Sequence, residues 1–197
     1  MRWRFANPRA EVRPKDFEWK VFSREETARI HGLAKAERVS VNAWIMARLN
    51  KVILPALLEG PAEGRWLFPV NMRGPVWLGE GQLEGLGNQS SGIPLRVKPD
   101  STAAEIHDQI KRSLEAGLHW ATWWMLHVGK LVGVRGMRHF SKSSEAKSFW
   151  LGSFTNVGIW DCAEASPDEA WLVAPPGSRN YPIGVGIVTW NGRMSIG

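Results

Sequence analysis

Ser148-Phe149-Trp150-Leu151-Gly152-Ser153-Phe154-Thr155-Asn156-Val157-Gly158-Ile159-Trp160 is the stretch around which the 197-residue chain is organised. It is apolar, β-branched and aromatic, with a basic, serine-rich run before it and Asp161 after it. Such a run reads as a buried strand, with glycines where another backbone or a ligand comes close. Between its apolar residues lie only small polar ones, Ser153, Thr155 and Asn156, and any chemistry of the strand belongs there. It is expected to be the central strand of its sheet.

Strand patterns lie on both sides of it. Upstream, Arg65–Met72 reads as a strand whose Pro69 predicts an edge position or a bulge. Gly74 to Gly87 holds five glycines and a proline and reads as a long loop. Asn88–Val97 is a second strand, ended by Pro99-Asp100. Downstream, Glu169–Ala174 and Gly184–Trp190 read as strands separated by Pro175-Pro176-Gly177. Asn191-Gly192 is a two-residue hairpin signal. A new strand starts at Arg193 and stops at Gly197, the pattern of a sheet truncated at its C-terminus.

The helices announce themselves by their caps. Ser23 followed by Glu26 is a capping box and opens a helix to about Ala36. Ser40 or Asn42 opens a strongly apolar helix through Leu57, with Pro55 near its end and Gly60-Pro61 after it. Ser101 is the expected cap of a third helix, with apolar residues Ala104, Ile106, Ile110 and Leu114. Trp120–Val134 has helical periodicity weakened by Gly129 and Gly133. Arg135–Lys147 reads as a loop or short helix. The predicted class is α/β (α+β): a mixed β-sheet flanked by helices, one subdomain over residues 16–197. A basic, irregular arm, residues 1–15, precedes it, with Pro8 and Pro14 excluding regular structure.

A hydrophobic fraction of 44% and a charged fraction of 22% exclude a disordered chain. Twelve Trp against one Tyr imply broad apolar surfaces, pockets or interfaces. A net charge of +6 is compatible with nucleic acid, an anionic membrane or an acidic cofactor and does not choose among them. The lone Cys162 excludes an intramolecular disulfide and a cysteine-rich zinc site. No apolar run reaches the ~18 residues of a membrane-spanning helix, and no apolar secretory core follows the basic start. The expected setting is cytoplasmic.

Several strings, in order, match one family: Phe22-Ser23-Arg24-Glu25-Glu26-Thr27; Val39-Ser40-Val41-Asn42-Ala43-Trp44; Phe68-Pro69-Val70-Asn71-Met72-Arg73; Gly87-Asn88; Thr102-Ala103-Ala104-Glu105-Ile106; and Thr155-Asn156-Val157-Gly158. Across roughly residues 17–197 the chain resembles the C-terminal half of the chloramphenicol-acetyltransferase-like, CoA-dependent acyltransferase superfamily. Peptide-synthetase condensation domains, wax ester synthases and polyketide-associated acyltransferases belong to it. The resemblance implies two similar halves with a tunnel between them. An acyl thioester enters from one side and a hydroxyl or amine acceptor from the other. A histidine of an HHxxxDG motif, on the N-terminal half, deprotonates the acceptor. This chain has no His-His pair. Its histidines are His31, His107, His119, His127 and His139, none with Asp at the motif's spacing. The family's last strand and terminal helix also have no counterpart here.

On that resemblance the strand Ser148–Trp160 faces the tunnel, and Ser153 and Thr155 are auxiliary oxyanion donors, a role worth about 3–4 kcal/mol per donor. The competing reading is that they satisfy neighbouring backbone in a crowded sheet. Asn71, Arg73, Asn88, Asn156 and Gly158 are the substrate-binding candidates. Against this stand a structural arginine at position 73 and simple turn chemistry at Gly87-Asn88. No catalytic residue is assigned with the motif absent, and no metal site is expected, since His119 and His127 lack a carboxylate ligand. No tightly bound cofactor is expected either, only acyl-CoA or an acyl-carrier thioester as co-substrate, with a small acyl acceptor. The expected partner is an N-terminal acyltransferase half, or a second copy through the Trp-rich face. The Trp120, Trp123, Trp124 cluster itself reads first as core packing, and otherwise as an acyl-chain wall, a membrane-facing patch or a dimer contact. A non-catalytic binding or oligomerisation module on the half-fold is the alternative function. Nucleic acid is the weakest: Arg2, Trp3, Arg4 and Phe5 mix cations with aromatics but form no module.

Overall fold

Capping begins each of the first three helices. In the computed structural model, which describes residues 17–60, 63–72, 90–147, 150–175 and 183–197, helix α1 (Arg24–Ala36) opens on the predicted box. Ser23 Oγ accepts from the Glu26 amide at 3.1 Å, and the Glu26 carboxylate accepts from the Ser23 amide at 2.8 Å. Helix α2 (Val41–Leu57) is capped by Ser40, not Asn42, and carries Pro55 in its last turn. Helix α3 (Ala103–Glu115) is capped by Thr102 and not by Ser101. That choice completes a second box, because it puts Glu105 at the third helical position, while Ser101 Oγ accepts from the Lys98 amide in the preceding turn.

Helix α4 (Leu118–Lys147) includes the segment Arg135–Lys147, which read as a loop or short helix. Gly133, at φ 65° and ψ 179°, breaks it into two arms. A side chain on Gly129 would stand 3.0 Å from Met137, so this small residue lets the second arm fold against the first. The glycines that weakened the helical pattern make a corner.

Six strands, β1 (Lys20–Val21), β2 (Gly64–Asn71), β3 (Ser90–Val97), β4 (Gly152–Trp160), β5 (Ile183–Trp190) and β6 (Arg193–Ile196), form a mixed sheet in the order β1-β6-β5-β4-β2-β3. β4 lies inside it, parallel to both β2 and β5, as its sequence predicts. β2 is also internal, not an edge. Its register with β4 is confined to Trp66–Gly152 and Leu67–Ser153, so Pro69 falls beyond the paired segment, where its missing N–H breaks no ladder. Asn191 and Gly192, both at positive φ, close the β5–β6 hairpin.

Strand alternation sends Trp66, Ile93, Leu95, Phe154, Val185, Ile187 and Met194 to one face, where they meet Met46 and Leu54 of α2 and Ile106 and Ile110 of α3. Phe154 packs edge-on to Trp66 and stacks against Phe68. Trp66 is fully buried; its Nε1–H donates to Asn50 Oδ1 at 2.8 Å, and Asn50 Nδ2 donates to the Met46 carbonyl at 2.8 Å. Met194 N–H donates to Thr27 Oγ1, tying α1 to β6. On the solvent side Glu37 accepts from Trp44 Nε1 and from Arg48, which lies over the Trp44 ring. The hydrogen bond from Arg48 holds the Glu37 carboxyl below its ordinary pKa. This link therefore contributes above the usual carboxylate pKa and is lost as pH falls through the lowered one.

The reverse face is covered differently. Glu169–Ala174 is not a strand: the chain from Trp171 to Pro175 crosses the reverse of β5 without joining a ladder. The cause lies in β5 itself. A Cβ on Gly184 would stand 2.6 Å from the Pro175 carbonyl oxygen, and one on Gly186 2.0 Å from that of Val173. Only glycine lets backbone lie on backbone there. Trp171 stacks on Trp190 with ring centroids 4.0 Å apart, and Ser195 Oγ donates to the Trp171 carbonyl.

Two sets of substitutions test this packing by urea denaturation. Asn50→Ala orphans the buried Trp66 N–H and is expected to destabilise by about 1–3 kcal/mol. Gly186→Ala is expected to cost about 2–3 kcal/mol through forced displacement of residues 173–175. Gly32→Ala, in mid-α1 with open space around it, is expected to stabilise by about 0.5–1 kcal/mol. Equal effects at Gly186 and Gly32 would show that the crossing segment does not press on β5.

Candidate functional site

β4 changes character along its length. Its first half is buried, but Val157, Ile159 and Trp160 are exposed, so the reading of Ser148–Trp160 as a wholly buried strand holds only to about Thr155. Residues 148 and 149 lie outside the described residues.

Sidedness sorts the candidates. Phe154 points to the helices, so Ser153 and Thr155 point to the reverse face, half-buried. They pair in register with Gly184 and Gly186, the two glycines under residues 173–175. Ser153 pairs on its other side with Leu67 of β2. The two hydroxyls therefore lie on the reverse face between the crossing segment over β5 and Leu67 of β2. Among the described residues neither hydroxyl is engaged in a hydrogen bond. Asn71, exposed at the end of β2 and paired with Ser90, falls on the same face by alternation.

Asn156 lies on the opposite, helix-bearing face. Its Nδ2 donates to Asn42 Oδ1 at the start of α2 (2.7 Å), and its Oδ1 accepts from the Gly158 amide (2.9 Å). Gly158 sits at φ 97°, a conformation that suits glycine. The register with β5 advances three residues on β4, Asn156 to Ile159, against two on β5, Ile187 to Thr189. This is a β-bulge, and the extra residue reverses the sidedness of the strand beyond it. Trp160 consequently joins the reverse face, 6.4 Å from Trp171, and its Nε1 donates to the Val157 carbonyl. Asn191 fixes the exit of the strand: its Oδ1 accepts from the Cys162 N–H, its Nδ2 donates to the Cys162 carbonyl and its own N–H donates to the Trp160 carbonyl. The structure thus puts Ser153, Thr155 and Asn71 on one face of the sheet, with Asn71 beyond the part of β2 that pairs with β4, and separately joins Asn156 to Gly158. Arg73 and Asn88 lie outside the described residues.

Sequence reasoning missed the Trp160–Trp171–Trp190 pile and the Asn42–Asn156 contact. The Asn-Val-Gly string held the signal for the bulge, since Asn side chains bond their own backbone two residues on.

Among the described residues the histidines form no catalytic constellation. His31 and His107 line a cleft of about 640 Å³ between α1, α2 and α3, with Lys35 and Arg38. His107 Nδ1 accepts from the Ser40 amide at 3.2 Å, which places its proton on Nε2. His119 Nδ1 is buried with no partner among the described residues, beside the Trp120 ring. No group of three His, Cys, Asp or Glu among the described residues converges to hold a metal ion.

No protein-family model matches the chain, and no curated protein is similar to it. Among solved structures, the chain is similar to the epimerization domain from the third module of tyrocidine synthetase B. The TM-score is 0.55 at 11% sequence identity, over 91% of this chain and 40% of that one. A second likeness is to polyketide synthase associated protein 5 from Mycobacterium tuberculosis, with a TM-score of 0.49 at 14% identity, over 91% of this chain and 44% of that one. The chain therefore spans about two fifths of the epimerization domain's length. At this identity the likeness is one of fold alone, a mixed six-stranded sheet flanked by helices.

Proposed function

We propose that this chain is the C-terminal-type subdomain of an acyltransferase. That enzyme would move an acyl group from a CoA or carrier-protein thioester to a hydroxyl or amine. The observation that carries the reading is the pair of half-buried hydroxyls, Ser153 and Thr155, side by side on the reverse face of β4, with neither in a hydrogen bond among the described residues. The likeness of fold supports it. Fold alone does not select a reaction, since the similar structure is an epimerization domain, and the reading rests on the site.

The chemistry divides between two halves. The acceptor oxygen or nitrogen attacks the thioester carbonyl and passes its proton to a base outside this chain, an HHxxxDG histidine of an N-terminal-type half. The carbonyl oxygen becomes an oxyanion, and the Ser153 and Thr155 hydroxyls donate to it. Collapse of the tetrahedral intermediate reforms the carbonyl and expels the thiolate, which takes the proton back. The Asn42–Asn156–Gly158 bridge positions the end of β4. Asn71, with Arg73 and Asn88, contacts the substrates. Acyl-CoA or an acyl-carrier thioester is a passing co-substrate.

The chain alone is expected to release no thiol from acyl-CoA above the buffer rate with alcohol or amine acceptors. The assay uses a Cys162→Ser variant, because the exposed Cys162 would react with a thiol reagent. Adding a polypeptide that carries HHxxxDG is expected to start release, and Ser153→Ala with Thr155→Val together to slow it by about 10³-fold or more. Turnover by the chain alone, or an unaltered rate in the double variant, would overturn the assignment. Tight complex formation with no turnover would favour the non-catalytic binding module.

A further inference from the structure

The first arm of α4 is inverted relative to an ordinary surface helix. Trp124, Met125, Val128, Leu131 and Val132 recur at the spacing of one helical face, and that face is the solvent-facing one. Leu131 is 87% exposed and Trp124 65%. Val134, just past the Gly133 corner, is 75% exposed and extends the patch around the tip. On the inner side Trp120 and Trp123 are half-buried. The reading of the Trp120–Trp123–Trp124 cluster as core therefore does not hold for Trp124. Contiguous exposed side chains of this size mark an interaction surface.

Charge identifies the partner. Between Glu115 and Glu145 the sequence has no acidic residue, while Lys130, Arg135, Arg138 and Lys142 contribute four positive charges. Arg135 and Arg138 are exposed on the second arm, immediately after the apolar tip. A second copy of the chain is a poor occupant, because a two-fold contact through this corner would set cations against cations. A nucleic acid would satisfy the cations and leave the apolar tip in water. An anionic bilayer satisfies both, with the tip in the headgroup–acyl boundary and the arginines at the lipid phosphates. Among the described residues no helix is long and apolar enough to cross a membrane, which fits an element lying on the bilayer.

We propose that the Gly133 corner of α4 docks the protein on anionic lipid surfaces. The inference is independent of the acyltransferase reading and would stand if that reading failed.

Flotation of the full chain with phosphatidylcholine vesicles, with and without about a third of phosphatidylglycerol, tests it. Binding is expected to the anionic vesicles, with a blue shift of Trp emission. It should weaken by roughly fivefold for each of Arg135→Ala and Arg138→Ala. Leu131→Asp is expected to weaken it by about tenfold or more, with thermal unfolding unaltered because the side chain is exposed. The basic arm could bind by charge alone, and Leu131→Asp separates the two routes. No binding to anionic vesicles, or binding insensitive to Leu131→Asp, overturns the proposal. So does a dimer in light scattering that Leu131→Asp dissociates while vesicles stay bare.

Discussion

Everything in this sheet depends on where Trp66 can put its N–H. A fully buried indole with an unsatisfied donor costs roughly 1–3 kcal/mol, and Asn50 is the side chain that accepts from it. Asn50 is committed in turn to the Met46 carbonyl, one turn back along α2. Helix, amide and indole therefore have one relative placement. Because Trp66 pairs with Gly152 and packs edge-on against Phe154, that placement also sets the depth and tilt of β4. The apolar residues around it supply most of the burial energy, and the polar pair supplies the register.

With the helix side of β4 so fixed, the function of the other side becomes a matter of parity. Alternation gives Phe154 to the core and leaves Ser153 and Thr155 on the reverse face. The bulge at Asn156–Gly158 then exchanges the sides, and Trp160 emerges beside Trp171 and Trp190. A continuous strand would have sent Trp160 towards the helix face and left the tryptophan pile without its outer ring. The glycines of β5 complete the arrangement by letting residues 173–175 lie flat over the positions that pair with Ser153 and Thr155.

Much of this was legible in the residues. The capping boxes at Ser23 and the helix starting after Thr102, the inner position of β4, and the Asn191-Gly192 hairpin all come from local chemistry, within about one residue. The features that escaped were non-local. Glu169–Ala174 has a strand's composition, but its partners are the flat backs of two glycines, and a sequence window around residue 170 does not see them. Pro69 signals an edge, yet the strand is internal because its pairing with β4 ends first. Asn156 looked like a companion of Ser153 and Thr155 through adjacency, whereas neighbours on a strand point to opposite faces. The apolar face of α4 is periodic in sequence, and only the fold shows that this face is turned outward.

On the proposed function an acyl thioester lies along the reverse face of β4. Photo-crosslinking the full chain with an acyl-CoA bearing a diazirine in its acyl chain, followed by peptide mass spectrometry, tests this directly. Label is predicted on Leu67–Asn71 and Ser153–Thr155, and competing acyl-CoA should remove it. Competable label confined to the outer face of α4 or to the cleft around His31 and His107 would contradict the claim.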